Sequence, residues 1–147
     1  MIEIALSSFV ASLGFGILFN IKGKKLILAG IGGSIGGVIY HVLLANGSGE
    51  LMAMLLGSMG FSLYSEVCAR ICRTPVTTFI ICALIPLVPG GGMYRMMLKA
   101  IEGNVMQALT IGLDTLTVAG ALALGILAVS TIMKAIYKPR RISDRNE

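Results

Sequence analysis

Few side chains in this sequence could do chemistry, and most of them sit at the edges of long apolar runs. Asp114 is the exception: it lies inside the apolar run 108–133, among Thr110, Thr115 and Thr117. A carboxylate at membrane depth is costly to desolvate and points by default to function, with proton or cation coupling as the sharp reading. The plain alternative is an Asp114 shallow enough to meet water or a packing partner. Arg95, Lys99 and Glu102 recur at i, i+4 and i+7 just after Gly90-Gly91-Gly92, while Met96, Met97, Leu98 and Ile101 fill the other face. A basic stripe behind a helix N-terminus suits an anion, because free amides and the helix dipole act in the same sense. It fits a substrate carboxylate held at a broken helix. It also fits an interfacial amphipathic helix with snorkelling cations. Glu66 precedes Arg70 by one helical turn, which reads first as a local ion pair and second as a coupling carboxylate.

The remaining reactive types form no constellation. His41 has no matched acid or cysteine and reads as an interfacial structural residue. Cys68 and Cys72 share a helix face, but no His or third Cys completes a metal site; with Cys82 they read as small buried hydrophobes. The odd cysteine count carries no disulfide framework. Gly30-Ile31-Gly32 lacks the third glycine of a dinucleotide fingerprint, since Ile35 stands there, and it lies inside an apolar run. The sequence predicts no enzyme, no cofactor and no metal.

The elements that must position these residues are membrane helices. Of the 147 residues 56% are hydrophobic and only 13% are charged, against about 25% charged in a globular domain. Mean hydropathy is +0.89. The net charge of +5 comes from residues between and after apolar runs, so it reads as membrane orientation and not as a nucleic-acid surface. The first apolar run has Glu3 before it and lysines after it, the reverse of a cleaved signal, and none is expected.

Five segments follow along the chain: residues 4–21, 26–45, 51–68, a broken fourth, and 108–133. The fourth opens behind Thr74-Pro75 as a helix cap. Its apolar part, 76–88, is 13 residues, about 20 Å of helix against a bilayer core of about 30 Å. Pro86 and Pro89 remove amides that the carbonyls of Cys82 and Ile85 would use, and Gly90, Gly91 and Gly92 follow. Unpaired backbone of this kind must line protein or a watery cavity. The segment can cross only if a second half-helix, expected from about Met93 to Glu102, completes it. Asn104-x-x-Gln107 resembles a capping box before the fifth segment. Gly32-x-x-x-Gly36, Gly33-x-x-x-Gly37, Ala53-x-x-x-Gly57 and Ala121-x-x-x-Gly125 are small-residue ridges for close helix packing.

Lys22, Lys24, Lys25, Arg70, Arg73 and the basic tail from Lys134 hold ten of the twelve Lys and Arg. Placing them all in the cytoplasm puts the N-terminus outside, the C-terminus inside, and makes five passes. The predicted fold class is an all-α integral membrane protein of about five transmembrane helices, four being possible, with the fourth broken at the Pro/Gly block. One helical domain spans residues 1–135 and a basic cytoplasmic tail spans 136–147. With this orientation, Cys68 and Cys72 should be open to thiol reagents from the cytoplasm only.

Leu13-Gly14-Phe15-Gly16-Ile17-Leu18-Phe19-Asn20, then Ser65-Glu66-x-x-Ala69-Arg70-x-x-Arg73-x-Pro75, then Ile85-Pro86-Leu87-Val88-Pro89-Gly90 with Tyr94 resembles the threonine/serine exporter family. The chain is similar to the short stand-alone subunit that corresponds to the C-terminal half of the fused exporters, over roughly residues 5–130. The resemblance implies a bacterial inner-membrane transporter that exports threonine and serine, or in some relatives a dicarboxylate such as succinate. It also implies a larger membrane subunit of the same family as partner. Asn20, Glu66, Arg70, Pro86, Pro89, Gly90 and Tyr94 carry over as motif residues; Asp114 belongs to no motif of the resemblance.

The expected function is one subunit of a secondary exporter of small polar metabolites, embedded in the lipid bilayer and binding no nucleic acid. The candidate substrate-binding residues are Pro86, Pro89, Gly90, Gly91, Gly92, Tyr94 and Arg95, with Asp114 and Glu66 as candidates for coupling. The alternatives are a non-transporting scaffold that stabilises the partner, or a passive channel.

Overall fold

The structure, a computed structural model, describes residues 1–136, and every regular element among them is helical. In chain order these are α1 (Ile2–Leu18), α2 (Lys24–Ala45), α3 (Glu50–Ile71), α4 (Thr77–Leu84) with a 3₁₀ turn (Ile85–Leu87), α5 (Gly90–Ile101) and α6 (Val105–Ile136). The expected tail at 136–147 falls, beyond its first residue, outside the described residues.

Helix ends follow local chemistry. Asn20, Gly47, Arg73 and Gly103 all have positive φ, the left-handed residue that stops a helix. In each case that residue's own amide and the next one turn back: Asn20 and Ile21 donate to the carbonyls of Ile17 and Gly16, both at 2.9 Å. That closure ends α1 three residues before the expected Ile21, so the motif residue Asn20 has a backbone role. The fourth segment starts at Thr77, not behind a Thr74 cap; the Thr74 hydroxyl instead donates to the carbonyl of Cys72. Asn104 does cap α6, its Oδ1 accepting from the Gln107 amide at 3.4 Å, and α6 begins at Val105, earlier than the apolar run suggests.

The glycine ridges set which helices touch and in which direction. A side-chain carbon on Gly33 or Gly37 would strike Ser12 or Ser8 of α1, and one on Gly16 would strike Leu26, so α1 and α2 are antiparallel. Gly32 faces Tyr64, Gly36 faces Phe61 and Gly57 faces Tyr40, so α2 and α3 are antiparallel. Gly32 also meets Ala83, and Gly36 meets Leu87, which makes α4 parallel to α2. Gly92 meets Thr115 and Gly112 meets Met96, so α5 runs antiparallel to α6.

The relation of α3 to α6 decides the topology. Met54 packs with Val118 and Leu122, Ser58 lies on Gly125, and Arg70 reaches the carbonyl of Met133. Helices α3 and α6 are therefore parallel. A chain leaving the end of α3 must return the whole way to begin α6, so α4 and α5 together form one traversing leg bent by 50°. A re-entrant loop would have left α6 antiparallel to α3. The legs alternate in direction from α1 to α6, and Lys22, Lys24, Lys25, Arg70, Arg73 and Lys134 gather at one end.

Helices α2, α3 and α6 are long and apolar enough to cross a membrane, and the bent pair makes a fourth. Helix α1, at 17 residues, is about 25 Å long, a little short of a full bilayer core. The molecule is an all-α membrane protein. Its buried core has two parts: Met54, Phe61, Ala83, Leu87, Val118 and Leu122 in the middle, and Ala29, Cys68, Ala69, Phe79 and Cys82 toward the basic end.

Candidate functional site

The break in the fourth leg is narrower than its sequence suggests. Pro86 sits inside the 3₁₀ turn, and the Val88 amide donates to the carbonyls of Leu84 at 3.2 Å and Ile85 at 3.3 Å. The carbonyl that Pro89 would have left bare is thereby satisfied. The Gly90 amide then donates to Val88 at 2.7 Å across Pro89, whose φ of −75° and ψ of 54° make an inverse γ-turn. Helix α5 begins at once, at Gly90 and not near Met93. The three glycines are thus its first turn, and only Val88 and Pro89 lie outside helix.

That first turn is pressed onto α6. A Cβ on Gly92 would collide with the Thr115 side chain, and one on Gly112 would lie 2.7 Å from the Met96 sulfur. Gly91 has nothing within 4 Å and faces open space. The amides of Gly91 and Gly92, at the start of α5, form no backbone hydrogen bond, and no side chain caps them. The Arg95 Nε donates back to the Gly91 carbonyl at 3.3 Å, which folds the guanidinium toward the break.

A cavity of about 430 Å³ opens here, lined by Pro89, Gly91, Gly92 and Arg95 from the break, Ile111, Asp114, Thr115 and Val118 from α6, and Glu50 from the start of α3. The size suits a small-metabolite site. Its charged groups are one cation and two carboxylates. Among the described residues the ion pairs are Glu66–Arg70 and Lys99–Glu102, so Arg95, Asp114 and Glu50 remain available to a guest. Glu50 is oriented by Tyr40, whose hydroxyl donates to Oε1 at 3.3 Å. The Thr115 hydroxyl donates to the Ile111 carbonyl at 2.6 Å and keeps lone-pair capacity toward the cavity.

The structure brings Pro89, Gly91, Gly92, Arg95 and Asp114 to one cavity. It leaves Pro86, Gly90 and Tyr94 off the lining, with Tyr94 two-thirds exposed. Glu66 lies elsewhere, buried toward the basic end of α3, where its Oε2 meets Arg70 at 3.4 Å. Lys99 pairs with Glu102 at 2.7 Å on an α5 that buries none of its residues. Sequence reasoning missed Glu50, Ile111, Thr115 and Val118 as lining residues. Thr115 was visible only as a neighbour of Asp114, and Glu50 stood out only as an acid at a helix start.

A family model described as Threonine/Serine exporter, ThrE matches residues 4–132. The chain belongs to that family. The match runs from the first turn of α1 into the last turns of α6 and so takes in both the cavity and Glu66. Membership in the exporter family makes the protein a multi-pass membrane transporter that handles small polar substrates. No curated protein and no solved structure matches the chain.

Proposed function

We propose that this member of the exporter family is one subunit of a secondary transporter in a bacterial inner membrane, and that it is not an enzyme. It crosses five times, with its N-terminus outside and its basic end in the cytoplasm. A larger membrane subunit of the same family completes the path. The observation that carries this reading is the cavity at the helix break, whose lining joins Arg95, Gly91 and Gly92 with Asp114 and Glu50. Such a site holds a substrate carboxylate at the α5 N-terminus, where dipole and free amides favour an anion.

The two carboxylates favour threonine or serine over a dicarboxylate such as succinate. An α-amino acid presents an ammonium to Asp114 and Glu50, whereas a dicarboxylate presents a second negative charge. Exposed charge pairs contribute about 0.7 kcal/mol each, within their usual range, so two of them give roughly tenfold discrimination. In this reading Asp114 is a substrate ligand and not the coupling group.

The test is efflux of labelled threonine and succinate from cells carrying Arg95→Ala or Asp114→Asn. Arg95→Ala is expected to abolish export of either substrate, and Asp114→Asn to lower threonine export about threefold with succinate spared. Normal threonine efflux in both variants, at normal protein levels, would sink the assignment.

A second reading, a scaffold that only stabilises the larger subunit, draws on the outer face of α5. Met93, Tyr94, Met97 and Ile101 are all more than half exposed there. Deleting the chain separates the two: a scaffold removes the partner protein from the membrane, whereas a transporting subunit removes efflux with the partner still present.

A further inference from the structure

Helix α3 carries carboxylates at both ends of one face. Glu50, Met54, Ser58, Ser62 and Glu66 follow at intervals of four residues, so their side chains share that face. Contacts place it against α6: Met54 packs with Val118 and Leu122, and Ser58 lies on Gly125. Ser65 stands one turn before Cys68 and Ala69, which pack on Phe79 and Cys82, so it borders the same face on the side of α4. Glu50, at the outer end, lines the open cavity, whereas Glu66, about 24 Å further along the helix, is buried. Between them Met54, Leu87, Val118 and Leu122 belong to one apolar cluster, and Val118 is also a wall of the cavity. The cavity therefore ends on an apolar floor.

Below that floor the interior turns polar. Ser62 and Ser65 are fully buried and Glu66 is 5% exposed. Among the described residues neither hydroxyl has a hydrogen-bond partner, and nor has Oε1 of Glu66, although Oε2 pairs with Arg70. The three residues stand at i, i+3 and i+4, the nearest neighbours on a helix surface. Buried polar atoms are costly to leave unpaired, so a closed structure that holds three of them favours a second state in which they are paired.

We propose that Ser62, Ser65 and Glu66 form a second amino-acid site, the one that loads from the cytoplasm when the fold opens at its basic end. The inference rests on the exporter reading, in which substrate enters from the cytoplasmic face. The ligand is a zwitterionic α-amino acid. Its ammonium has three N–H donors, which match Oε1 and the two hydroxyl oxygens. Its carboxylate points toward the basic end, where Lys22, Lys24, Lys25 and Arg73 make the surroundings positive. A bare metal ion would add uncompensated positive charge beside Arg70, whereas a zwitterion adds none overall. The pairing of carboxylate with hydroxyl repeats that of the outer cavity, where Glu50 and Asp114 accompany Thr115. Helix α4 is the wall that moves. The left-handed residue Arg73 precedes it and the Pro86–Pro89 break follows it, so it can swing while Arg70 keeps every contact it makes. Leu87 of the apolar cluster lies just past α4 and moves with it, which joins the two sites.

The test is exchange of labelled threonine into inside-out vesicles that carry the full chain with its larger partner, unlabelled threonine being loaded within. Glu66→Gln should raise the KM for threonine on the cytoplasmic face by about tenfold or more, since the hydrogen bond lost is to a charged group. Ser62→Ala combined with Ser65→Ala should raise it about fivefold or more with no change of charge, and decides the matter if Glu66→Gln does not fold. Protection of an Ile111→Cys thiol by external threonine, with the native cysteines replaced by alanine, reads the outer cavity and should be unaffected by either change. An unchanged cytoplasmic KM in the serine variant would overturn the proposal and leave the exporter reading intact; a buried structural water would give that result, with a lower unfolding temperature. An equal loss of outer protection would overturn it too, since the three residues would then act through the whole fold. No threonine exchange by the unsubstituted chain would end both readings.

Discussion

Gly91 and Gly92 are neighbours in one helical turn with opposite tolerances. A Cβ at Gly92 meets Thr115 on α6, while one at Gly91 meets nothing within 4 Å. Gly92→Ala should push α5 off α6 and reduce threonine efflux severalfold. Gly91→Ala should transport normally and be slightly more stable, by about 0.5–1 kcal/mol, because alanine loses less backbone entropy in a helix. Gly91→Leu should fold but fill the cavity and block export. Efflux assays beside immunoblots check all three; equal activity of Gly92→Ala and Gly91→Ala would contradict the packing described. Residue types alone pointed to Arg95, Asp114 and Glu66, because charge inside an apolar chain is conspicuous. They could not show that Asp114 belongs with Arg95 while Glu66 does not. That depends on which residue of α6 lies beside Gly92, and the Gly92–Thr115 contact settles it.

At the scale of elements, helices without a hydrophobic driving force between them are held by close backbone approach. The α3–α6 seam shows how tight this is: a Cβ on Gly125 would lie 2.8 Å from the Leu55 carbonyl oxygen and would also strike Ser58. Backbone cannot rotate away, so Gly125→Ala should destabilise by about 1–3 kcal/mol through overpacking. Gly120→Ala, five residues earlier on the same helix with nothing within 4 Å, should cost nothing. Thermal unfolding of the detergent-purified variants measures both. The small-xxx-small spacings made these ridges legible in the sequence. Helix limits were less so, because Asn20 and Arg73 stop helices as left-handed residues, a role that more often belongs to glycine. The onset of α5 was misplaced for a related reason: three glycines read as an open linker, yet Pro89 turns the chain and they pack as a helical turn.

For the whole molecule, the parallel course of α3 and α6 makes the bent leg a crossing. Single cysteines replacing Ser48 and Asn104 should label from one side of the membrane, and Cys72 and a cysteine at Lys22 from the other. Asn104 and Cys72 labelling from the same side would mean a re-entrant loop. Cys68, expected from sequence to report on topology, is 4% exposed and should stay silent. Charge counting could propose five legs but could not establish their directions, since those rest on contacts between residues far apart, such as Arg70 and Met133. Glu50 joined the site by the same route: it shares the cavity with Asp114 only because the start of α3 lies level with the first turn of α5. The claim at the centre of this account is that an amino acid occupies the cavity at the break. Ile111→Cys, in a background with Cys68, Cys72 and Cys82 replaced by alanine, puts one thiol on the cavity wall. Threonine should slow its labelling in native membranes, serine should do so comparably, and succinate should need roughly tenfold higher concentration. A labelling rate indifferent to threonine, or slowed as readily by succinate, would contradict it.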